Sequence, residues 1–390
     1  MINIKDIAHL EEVIYTYRNT IHMNPETGFE EYETTKFIKN ILESKGYKIE
    51  KNPLETGVIA TINNQYDKTV MLRADIDALN MVEENDVSYC SKTEGKMHAC
   101  GHDAHTAMLL GAALYFADNL DKIKGRIKLV FQPAEEGPLP GGAYHLVNAG
   151  IMDDVDAVFG LHITTLFETG QMRIKSGHSM SAPDELMIKV SGQGTHASAP
   201  ESGNDVIVCA SNIIQHLQQI VSREIAAYES AVVSISTIHA GTAFNVLPDE
   251  VVMTGTVRTF NEDVRTLIHK RINEVVKYNA DLSNAESEVV IKKGYPALIN
   301  DPDMTDFVIK TANDSIGKEN VTIEQNPSMG AEDFAYYLQK KPGCFYWIGG
   351  RPKGMKEIYY NHNPKFDVDK KSLVYGTLLH INTVLSYFNK

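Results

Sequence analysis

Apolar residues recur along the chain with two different spacings, which alternate from segment to segment. A recurrence every three to four residues places apolar side chains on one face of a helix. It predicts helices at residues 13–22, 32–45, 104–120, 206–221, 264–278, 304–316 and 371–388. Short apolar runs of strand character predict strands at residues 69–72, 127–131, 157–161, 186–190, 232–238, 251–257, 288–292 and 344–348. Because helices and strands alternate, we expect an α/β protein.

The middle of the chain has a different order of elements. Between residues 184 and 294 the predicted order is strand, helix, strand, strand, helix, strand, which is typical of a two-layer α+β unit. The full length of 390 residues also exceeds that of one ordinary domain. We therefore predict that residues 184–294 are inserted into a first domain, which consists of residues 1–183 and 295–390. His362 can then join a site formed by the first part of that domain.

Charge and cysteine content argue against several classes of protein. The chain has 51 acidic and 37 basic residues and a formal net charge of −14, whereas nucleic acids and anionic membranes require a basic surface. Four cysteines in 390 residues are too few for a disulfide framework. The first residues lack the apolar core of a signal peptide. The longest apolar run, residues 107–117, is shorter than the about 20 residues that span a bilayer. We expect a cytoplasmic protein that binds neither nucleic acid nor membrane.

Polar residues with chemical function follow three of the predicted strands. Asp75 and Asp77 come after the first of these strands, Glu135 and Glu136 after the second, and His162 after the third. In open α/β sheets, ligands bind beyond the carboxyl ends of the strands. The three strands therefore predict one site at a shared edge of the sheet.

Cys100 and His102 form the densest candidate metal-binding motif. They stand two residues apart at the start of a predicted helix, and thiolate and imidazole both bind borderline divalent ions. Glu136, His162 and His362 extend this motif to a set of nitrogen, oxygen and sulfur donors that is large enough for two metal ions. The alternative is a turn that buries a cysteine.

The adjacent Glu135 and Glu136 leave the backbone in different directions, so they can have different roles. One can bind a metal ion while the other faces a metal-activated water molecule as a general base. The alternative is a pair of solvated loop glutamates.

Asp75 and Asp77 are two residues apart and therefore lie on the same side of an extended segment. Asp77 can accept a hydrogen bond from a metal-binding imidazole such as His102 and thereby orient it. Asp75 can either bind a metal ion or pair with Arg73, and the residues alone leave both roles open.

Longer motifs surround these residues. They are Arg73-Ala-Asp-Ile-Asp-Ala-Leu, His98-Ala-Cys-Gly-His-Asp-Ala-His-Thr-Ala, Gln132-Pro-Ala-Glu-Glu-Gly, Gly160-Leu-His, Gly192-Gln-Gly-Thr-His-Ala-Ser, Gly255-Thr-Val-Arg-Thr-Phe and Met329-Gly-Ala-Glu-Asp-Phe. In this order, and from about Tyr17 to His362, the chain closely resembles the dinuclear metal-dependent amidohydrolases. That family includes aminoacylases, hippurate hydrolases, N-acetyldiaminopimelate deacetylases and auxin–amino-acid conjugate hydrolases.

The resemblance implies a metallo-exopeptidase-like α/β fold, with a mixed sheet flanked by helices and an inserted two-layer α+β domain. The inserted domain is expected to act as a lid and dimerisation domain, and residues 1–183 and 295–390 as the catalytic domain. The resemblance further implies two divalent metal ions per subunit (manganese, zinc, nickel or cobalt) and a homodimer or higher homo-oligomer. The implied metal ligands are Cys100, His102, Glu136, His162 and His362.

The same resemblance implies roles for five further residues. Glu135 matches the general acid/base, and Asp77 matches the acid that orients a metal ligand. His196 matches a lid histidine that reaches the substrate carbonyl, in the site of the partner subunit. Asn245 and Arg258 match positions that help to bind the carboxylate of the substrate.

The expected activity is hydrolysis of the amide bond of N-acyl amino acids or small peptide derivatives by a metal-activated water molecule, with Glu135 as general acid/base. One alternative is an amidase in which Cys100 is the nucleophile and His98 or His102 is the base. Another is a metal-binding relative without catalytic turnover. Asn80 and Pro138 depart from the motifs of the family near the site, which leaves the substrate preference open.

Overall fold

A computed structural model describes residues 1–389 of the chain. Its α-helices are α1 (Glu11–His22), α2 (Tyr32–Ser44), α3 (His102–Asp118), α4 (Gly142–Asn148), α5 (Val206–Gln219), α6 (Glu262–Leu282), α7 (Pro302–Ile316), α8 (Ala335–Leu338) and α9 (Lys370–Phe388). Its strands are β1 (Lys48–Ile49), β2 (Val58–Ile62), β3 (Thr69–Asp75), β4 (Leu79–Asn80), β5 (Lys96–Met97), β6 (Arg126–Gln132), β7 (Ala157–Glu168), β8 (Met172–Ile174), β9 (Gly177–Met180), β10 (Ala182–Ser191), β11 (Thr195–His196), β12 (Ala231–Ala240), β13 (Val246–Leu247), β14 (Glu250–Thr259), β15 (Glu286–Lys293), β16 (Leu298–Asn300), β17 (Val321–Ile323) and β18 (Gly343–Arg351). Short 3-10 helices lie at Ile4–Leu10, Leu120–Lys122, Pro200–Ser202 and Lys318–Asn320, and a π-helical turn lies at Ile220–Glu224.

The described chain divides into two compact units. The first contains Met1–Ser179, Ile299–Asn326 and the segment from Asp333 to the end of the described chain, and the second contains Met180–Leu298 and Pro327–Glu332. The segment predicted as an inserted domain, residues 184–294, falls within the second unit by residue number. Its function as a lid and dimerisation domain stays a prediction.

The first unit is built on an eight-stranded sheet with the strand order β1-β2-β6-β3-β7-β18-β8-β17. β3 runs parallel to its neighbours β6 and β7, β18 runs parallel to β7, and β2 runs antiparallel to β6. Helices α2, α3, α7 and α9 pack against strands of this sheet. The expected α/β class, with a mixed sheet flanked by helices, is confirmed.

Helix α3 is the central helix of the first unit. Every residue from His102 to Phe116 is buried, since α3 packs against β3 as well as against α1 and α9. A helix that is apolar around its whole circumference belongs in such a core. Its first turns lie beside the end of β3, where the Thr106 hydroxyl donates a hydrogen bond of 3.0 Å to the carbonyl oxygen of Asp75. The apolar run of α3 therefore positions the polar residues at its start.

Strand β7 is longer than the sequence pattern predicted. The predicted strand ended before His162, whereas β7 continues to Glu168. The extension forms because β18 pairs with β7 beyond this point, with Trp347 opposite His162 and Gly349 opposite Thr164. His162 is consequently held inside a strand and not at the start of a loop.

The second unit has a four-stranded antiparallel sheet with the order β12-β14-β10-β15. Helices α5 and α6 pack against it, and their apolar faces share a core with the strands. This is the expected two-layer α+β arrangement. Strand β12 is an edge strand, and residues 236–240 of it are exposed. Among residues 1–389, no helix combines the length and apolar character needed to cross a membrane.

Candidate metal centre

The turn before α3 carries two of the predicted metal ligands. Cys100 and His102 flank Gly101, whose φ is +91°. A Cβ atom at this position would lie 2.5 Å from Cγ2 of Ile163, so only glycine fits the turn. The ligand-capable atoms of Cys100, His102 and His162 lie within 4.8 Å of one another.

His162 presents one nitrogen to this cluster. Its Nδ1 lies 2.7 Å from the carbonyl oxygen of Ile163, which can only accept, so Nδ1 carries the proton. The lone pair of Nε2 then faces Cys100, with 3.4 Å between Nε2 and Sγ. A backbone contact thus sets the tautomer that metal binding requires.

Glu136 and His362 complete the same cluster. Nε2 of His362 lies 2.9 Å from Oε1 of Glu136, and both residues lie within 4.8 Å of Cys100. The backbone of His362 has a φ of +68°, and its N–H donates a hydrogen bond of 2.7 Å to the carbonyl oxygen of Ala99. His102, Glu135 and Glu136 form a further group within the same distance. The five predicted ligands and Glu135 are therefore brought together.

Asp77 supports two members of the cluster. Its Oδ1 accepts a hydrogen bond of 3.1 Å from Nδ1 of His102, and its Oδ2 accepts one of 2.8 Å from the backbone N–H of Glu136. Nε2 of His102 is buried and has no hydrogen-bond partner in the described chain. A buried imidazole nitrogen without a partner costs free energy of folding, and a metal ion bound to this nitrogen would offset that cost.

Asp75 makes a different set of contacts. Its Oδ1 lies 2.6 Å from Nδ1 of His105, and its Oδ2 accepts a hydrogen bond of 2.6 Å from Nη1 of Arg73. Nε2 of His105 accepts a hydrogen bond of 2.8 Å from the backbone N–H of Ile163, so both ring nitrogens of His105 are occupied. These contacts favour the pairing of Asp75 with Arg73 over metal binding, and they leave His105 without a free lone pair.

The electrostatics of the cluster favour a cation. Burial lowers the pKa of His102, but the charge of Asp75 and the hydrogen bond to Asp77 outweigh it and raise this pKa to about 10. Surroundings that stabilise an imidazolium also stabilise a divalent ion. Together with the unpartnered His102 Nε2 and the mixed donor set, this shows that the residues fit a metal site.

The remaining predicted residues, His196, Asn245 and Arg258, lie in the second unit. His196 pairs with Val246 between β11 and β13, and the carbonyl oxygen of Asn245 accepts a hydrogen bond of 2.9 Å from Ala197. His196 and Asn245 are thus neighbours, and both are exposed.

Ser198 fixes the tautomer of His196. Nδ1 of His196 accepts a hydrogen bond of 3.2 Å from the backbone N–H of Ser198, and the Ser198 hydroxyl lies 2.7 Å from the same nitrogen. Because Nδ1 is an acceptor, the proton resides on Nε2. His196 therefore presents an N–H donor.

Arg258 lies on β14, where Pro183 and Val232 are its cross-strand neighbours. Its Nε donates a hydrogen bond of 3.1 Å to the Thr256 hydroxyl, and burial lowers the pKa of its guanidinium. The side chain is half-buried.

Comparison with known proteins identifies the family. Residues 71–386 match the model of peptidase family M20/M25/M40. The chain belongs to this family. It is 39% identical over 388 residues to thermostable carboxypeptidase 2 of Saccharolobus solfataricus, covering 99% of this chain and 98% of the relative. It is also 39% identical over 373 residues to the N-acetyl-L-cysteine deacetylase of Bacillus subtilis, covering 95% of this chain and 87% of the relative.

A solved structure of the same family has the same fold. The YXEP protein of Bacillus subtilis, described as a dinuclear metal-binding peptidase of the M20 family, is 33% identical with a TM-score of 0.83. The match covers 98% of this chain and 99% of that protein. The resemblance inferred from the sequence motifs is confirmed, and this M20 peptidase-family member is an enzyme of the hydrolase class.

One buried residue of this family member escaped the sequence analysis. Asp333 accepts hydrogen bonds from Nη2 of Arg73 at 2.8 Å, from Nε2 of Gln132 and from the backbone N–H of Ala143. Burial raises the pKa of Asp333 to about 6 even though Arg73 stands beside it. This network connects β3, β6 and α4 behind the metal cluster. In the sequence, Asp333 belongs to the Met329-Gly-Ala-Glu-Asp-Phe motif. This motif follows no predicted strand, so the sequence does not place Asp333 at the edge of the sheet.

Proposed function

We propose that this enzyme hydrolyses the amide bond of N-acyl amino acids or small peptide derivatives, with two divalent metal ions in the cluster of the first unit. The observation that carries the proposal is the convergence of a thiol, three imidazoles and a carboxylate, whose ligand-capable atoms form overlapping groups within 4.8 Å. Such a donor set is too large for a single closed structural site. The proposed ligands are Cys100, His102, Glu136, His162 and His362.

The donor chemistry restricts the metals. Imidazole, carboxylate and thiolate donors suit zinc, manganese, cobalt and nickel, and affinity alone does not choose among them. When bound, the ions would supply a Lewis acid for the amide carbonyl and would lower the pKa of water.

Glu135 is the proposed general acid/base. Its side chain is 7% exposed, and Oε2 lies 4.0 Å from Nε2 of His102, so the carboxylate borders the cluster. Attack of water on the amide carbon forms a C–O bond and transfers a proton to the Glu135 carboxylate. Glu135 then gives this proton to the leaving nitrogen as the C–N bond breaks, which yields a carboxylic acid and an amine.

The second unit supplies the proposed substrate contacts. Nε2–H of His196 is a donor suited to the oxyanion that develops on the carbonyl oxygen. Arg258 and Asn245 would bind the carboxylate of the substrate, for which a guanidinium has a two-pronged donor geometry. The names of the two relatives, a carboxypeptidase and an N-acetyl-L-cysteine deacetylase, agree with a substrate that has both an amide and a free carboxylate.

The proposed assembly is a homodimer, or a higher homo-oligomer, formed through the second unit. Strand β12 offers an unpaired edge in the described structure, and edge strands of this kind readily pair with a second chain. Phe244 is 99% exposed, and Ile238 and Val246 are each 49% exposed. Pairing of two copies would cover this apolar surface, and we propose that each copy then supplies His196 to the site of its partner.

The structure does not favour a Cys100 nucleophile. Cysteine attacks as a thiolate, so a catalytic cysteine needs a depressed pKa. Burial and the charges of Glu136 and Glu135 instead raise the pKa of Cys100 well above its usual range. A cation bound to Sγ would lower the pKa of Cys100 again, but Cys100 would then be a metal ligand and not a nucleophile. We also propose a cytoplasmic location, in keeping with four cysteines that are all free, three of them buried.

Metal analysis and substrate hydrolysis test the proposal together. We expect about two divalent ions per chain, hydrolysis of members of a panel of N-acyl amino acids and dipeptides, and loss of activity with a chelator that added metal reverses. The Glu135→Gln variant should retain its metal but lose about 10²–10⁴-fold in kcat. Loss of metal in this variant, or unchanged activity, would refute the role of Glu135. Activity without metal would refute the dinuclear site.

Subunit complementation tests the proposed assembly. A Glu135→Gln subunit and a His196→Ala subunit should each have only low residual activity alone. A mixture refolded together should recover part of the activity, because one site of each heterodimer combines an intact Glu135 with an intact His196. Confirmed heterodimers without activity would show that His196 does not act across subunits.

A further inference from the structure

The loop that carries Glu135 has a strained backbone that other residues must hold in place. Ala134, immediately before Glu135, has a φ of +54°. A residue with a Cβ rarely adopts this left-handed conformation, which costs roughly 1–2 kcal/mol and persists only where the surroundings enforce it. Part of that support is the N–H of Gly142, which donates a hydrogen bond of 3.1 Å to the carbonyl oxygen of Ala134.

Two buried carboxylates hold the amide groups on either side of Glu135. Asp77 accepts the N–H of Glu136 at 2.8 Å, as described above. On the other side, Oε1 of Glu31 accepts the N–H of Ala134 at 2.9 Å. The two backbone N–H groups that flank the proposed base thus donate to carboxylates from different segments of the chain.

Glu31 is placed rigidly for this contact. It directly precedes α2, and its carbonyl oxygen accepts a hydrogen bond of 2.9 Å from Thr35. Glu26 caps the first turn of α2, since its carboxylate accepts the N–H of Glu33 at 3.1 Å and the N–H of Thr34 at 2.8 Å. The side chain of Glu31 therefore does not cap α2. It lies in the interior, and the residue is 0% exposed.

A glycine lets the same segment approach the loop closely. A Cβ at Gly28 would lie 2.0 Å from the carbonyl oxygen of Gly137 and 3.0 Å from Cβ of Ala134. The segment from Gly28 to Glu31 thus packs directly against the loop that contains Glu135 and Glu136.

The burial of Glu31 needs an explanation of this kind. Burial together with the charge of Asp77 raises the pKa of Glu31 to about 7, although the Thr56 hydroxyl and the Ala134 N–H favour the charged carboxylate. Burial of a carboxyl group costs free energy of folding unless hydrogen bonds compensate for the lost water. Retention of Glu31 at this position therefore suggests a functional reason. No motif of the sequence points to a role for Glu31.

We propose that Glu31 is a positioning residue, which holds the Ala134 peptide and thereby sets the position of the proposed general base Glu135. The inference rests on the proposed function, since it needs Glu135 to act as the base. Small displacements of a catalytic group are costly, and about 1 Å can reduce the rate about 100-fold.

A matched pair of substitutions isolates the hydrogen bond. Glu31→Met keeps the length of the side chain and suits a buried position, but it removes the carboxylate acceptor. Glu31→Gln keeps an acceptor oxygen. We expect Glu31→Met to lower kcat about 10- to 100-fold with KM within about threefold of the parent, and Glu31→Gln to retain most of kcat. Glu30→Gln is the control, because the neighbouring Glu30 is 62% exposed and lies on the surface.

The same pair in a Glu135→Gln background separates positioning from stability. If Glu31 acts through Glu135, Glu31→Met should cause no further loss of kcat, normalised to bound metal, once Glu135 has been replaced. A merely structural role would cause the same fractional loss in both backgrounds and would overturn the inference. Equal losses in the Met and Gln variants would also overturn it.

Failure of the inference and failure of the proposed function give different results. A Glu135→Gln enzyme with the expected loss of kcat, together with a fully active Glu31→Met enzyme, overturns the inference alone. A fully active Glu135→Gln enzyme overturns the proposed function, and the role of Glu31 with it. Should Glu31→Met not fold, Glu31→Leu also lacks an acceptor and is judged by the same comparison with Glu31→Gln.

Discussion

Replacement of Asp77 by asparagine tests how the metal cluster is organised. Asp77 is 1% exposed and accepts two hydrogen bonds, one on each carboxylate oxygen. Asparagine has one acceptor oxygen, and its NH₂ group can only donate. Because both His102 Nδ1–H and Glu136 N–H are donors, Asp77→Asn must leave one of them facing another donor.

The magnitude follows from the contact that is lost. A buried donor without an acceptor costs about 1–3 kcal/mol. Replacement of a residue that orients a metal ligand typically weakens metal affinity about 10- to 100-fold, which corresponds to about 1.4–2.7 kcal/mol. We expect a loss of metal affinity in this range, since either His102 loses its tautomer or the Glu136 backbone moves.

A competition titration with a fluorescent zinc chelator measures the affinity directly on the metal-free enzyme. Asp86→Asn is the matched control, because Asp86 is exposed and the same charge is removed. We expect this control to bind zinc as the parent does. Parent-like zinc affinity and kcat in Asp77→Asn would refute the role assigned to Asp77.

Three further substitutions test other parts of the molecule. Ser198→Ala removes a hydrogen bond that fixes the Nε2–H tautomer of His196. It should lower kcat about 2- to 12-fold and shift the ¹⁵N signals of the His196 ring, whereas Ser198→Thr should not; identical spectra would contradict the hydrogen bond between the hydroxyl and Nδ1, since the backbone N–H of residue 198 still donates to Nδ1 in the alanine variant. Burial lowers the pKa of His380 to about 3, so the unfolded chain binds a proton that the folded chain excludes as the pH falls from about 6.5 towards 3. His380→Phe should therefore reduce the acid-induced loss of unfolding free energy by up to about 1.4 kcal/mol per pH unit, and parallel pH profiles would contradict this. Asp184→Asn removes the buried charge partner of the Arg265 guanidinium, which then keeps only the half-exposed Glu262 at 3.3 Å, and should destabilise the protein by about 3 kcal/mol in urea unfolding; an unchanged midpoint would refute the importance of this pair.

Local motifs were sufficient to predict the members of the cluster. Cys100 and His102 flank a glycine turn, and Glu135 and Glu136 follow a buried strand, so short stretches of sequence identify them as chemical groups at the edge of a sheet. The order of helices and strands likewise predicted the α/β class. These features depend on spacing along the chain, because hydrophobic periodicity and turn geometry are local properties.

The end of β7 and the contact of Asp75 with His105 were not predictable in this way. β7 is extended by its pairing with β18, which lies more than 170 residues further along the chain. Asp75 contacts His105 because α3 packs against the end of β3. Neither the β7–β18 pairing nor this contact has a local signature. The pairing of Asp75 with Arg73, two residues away on the same strand, was one of the two roles that the sequence left open, and the structure favours it over metal binding.

The sequence alone determined which residues are candidates for metal binding and acid/base chemistry, and in which kind of fold they stand. Tertiary structure decided what each of them faces: the carbonyl that sets the tautomer of His162, the carboxylate that orients His102, and the buried Glu31 beneath the loop of Glu135. The physical reason is that the functional group of a side chain is fixed by the residue type. Its tautomer, charge and direction are set by neighbours that the sheet register and helix packing bring from distant parts of the chain.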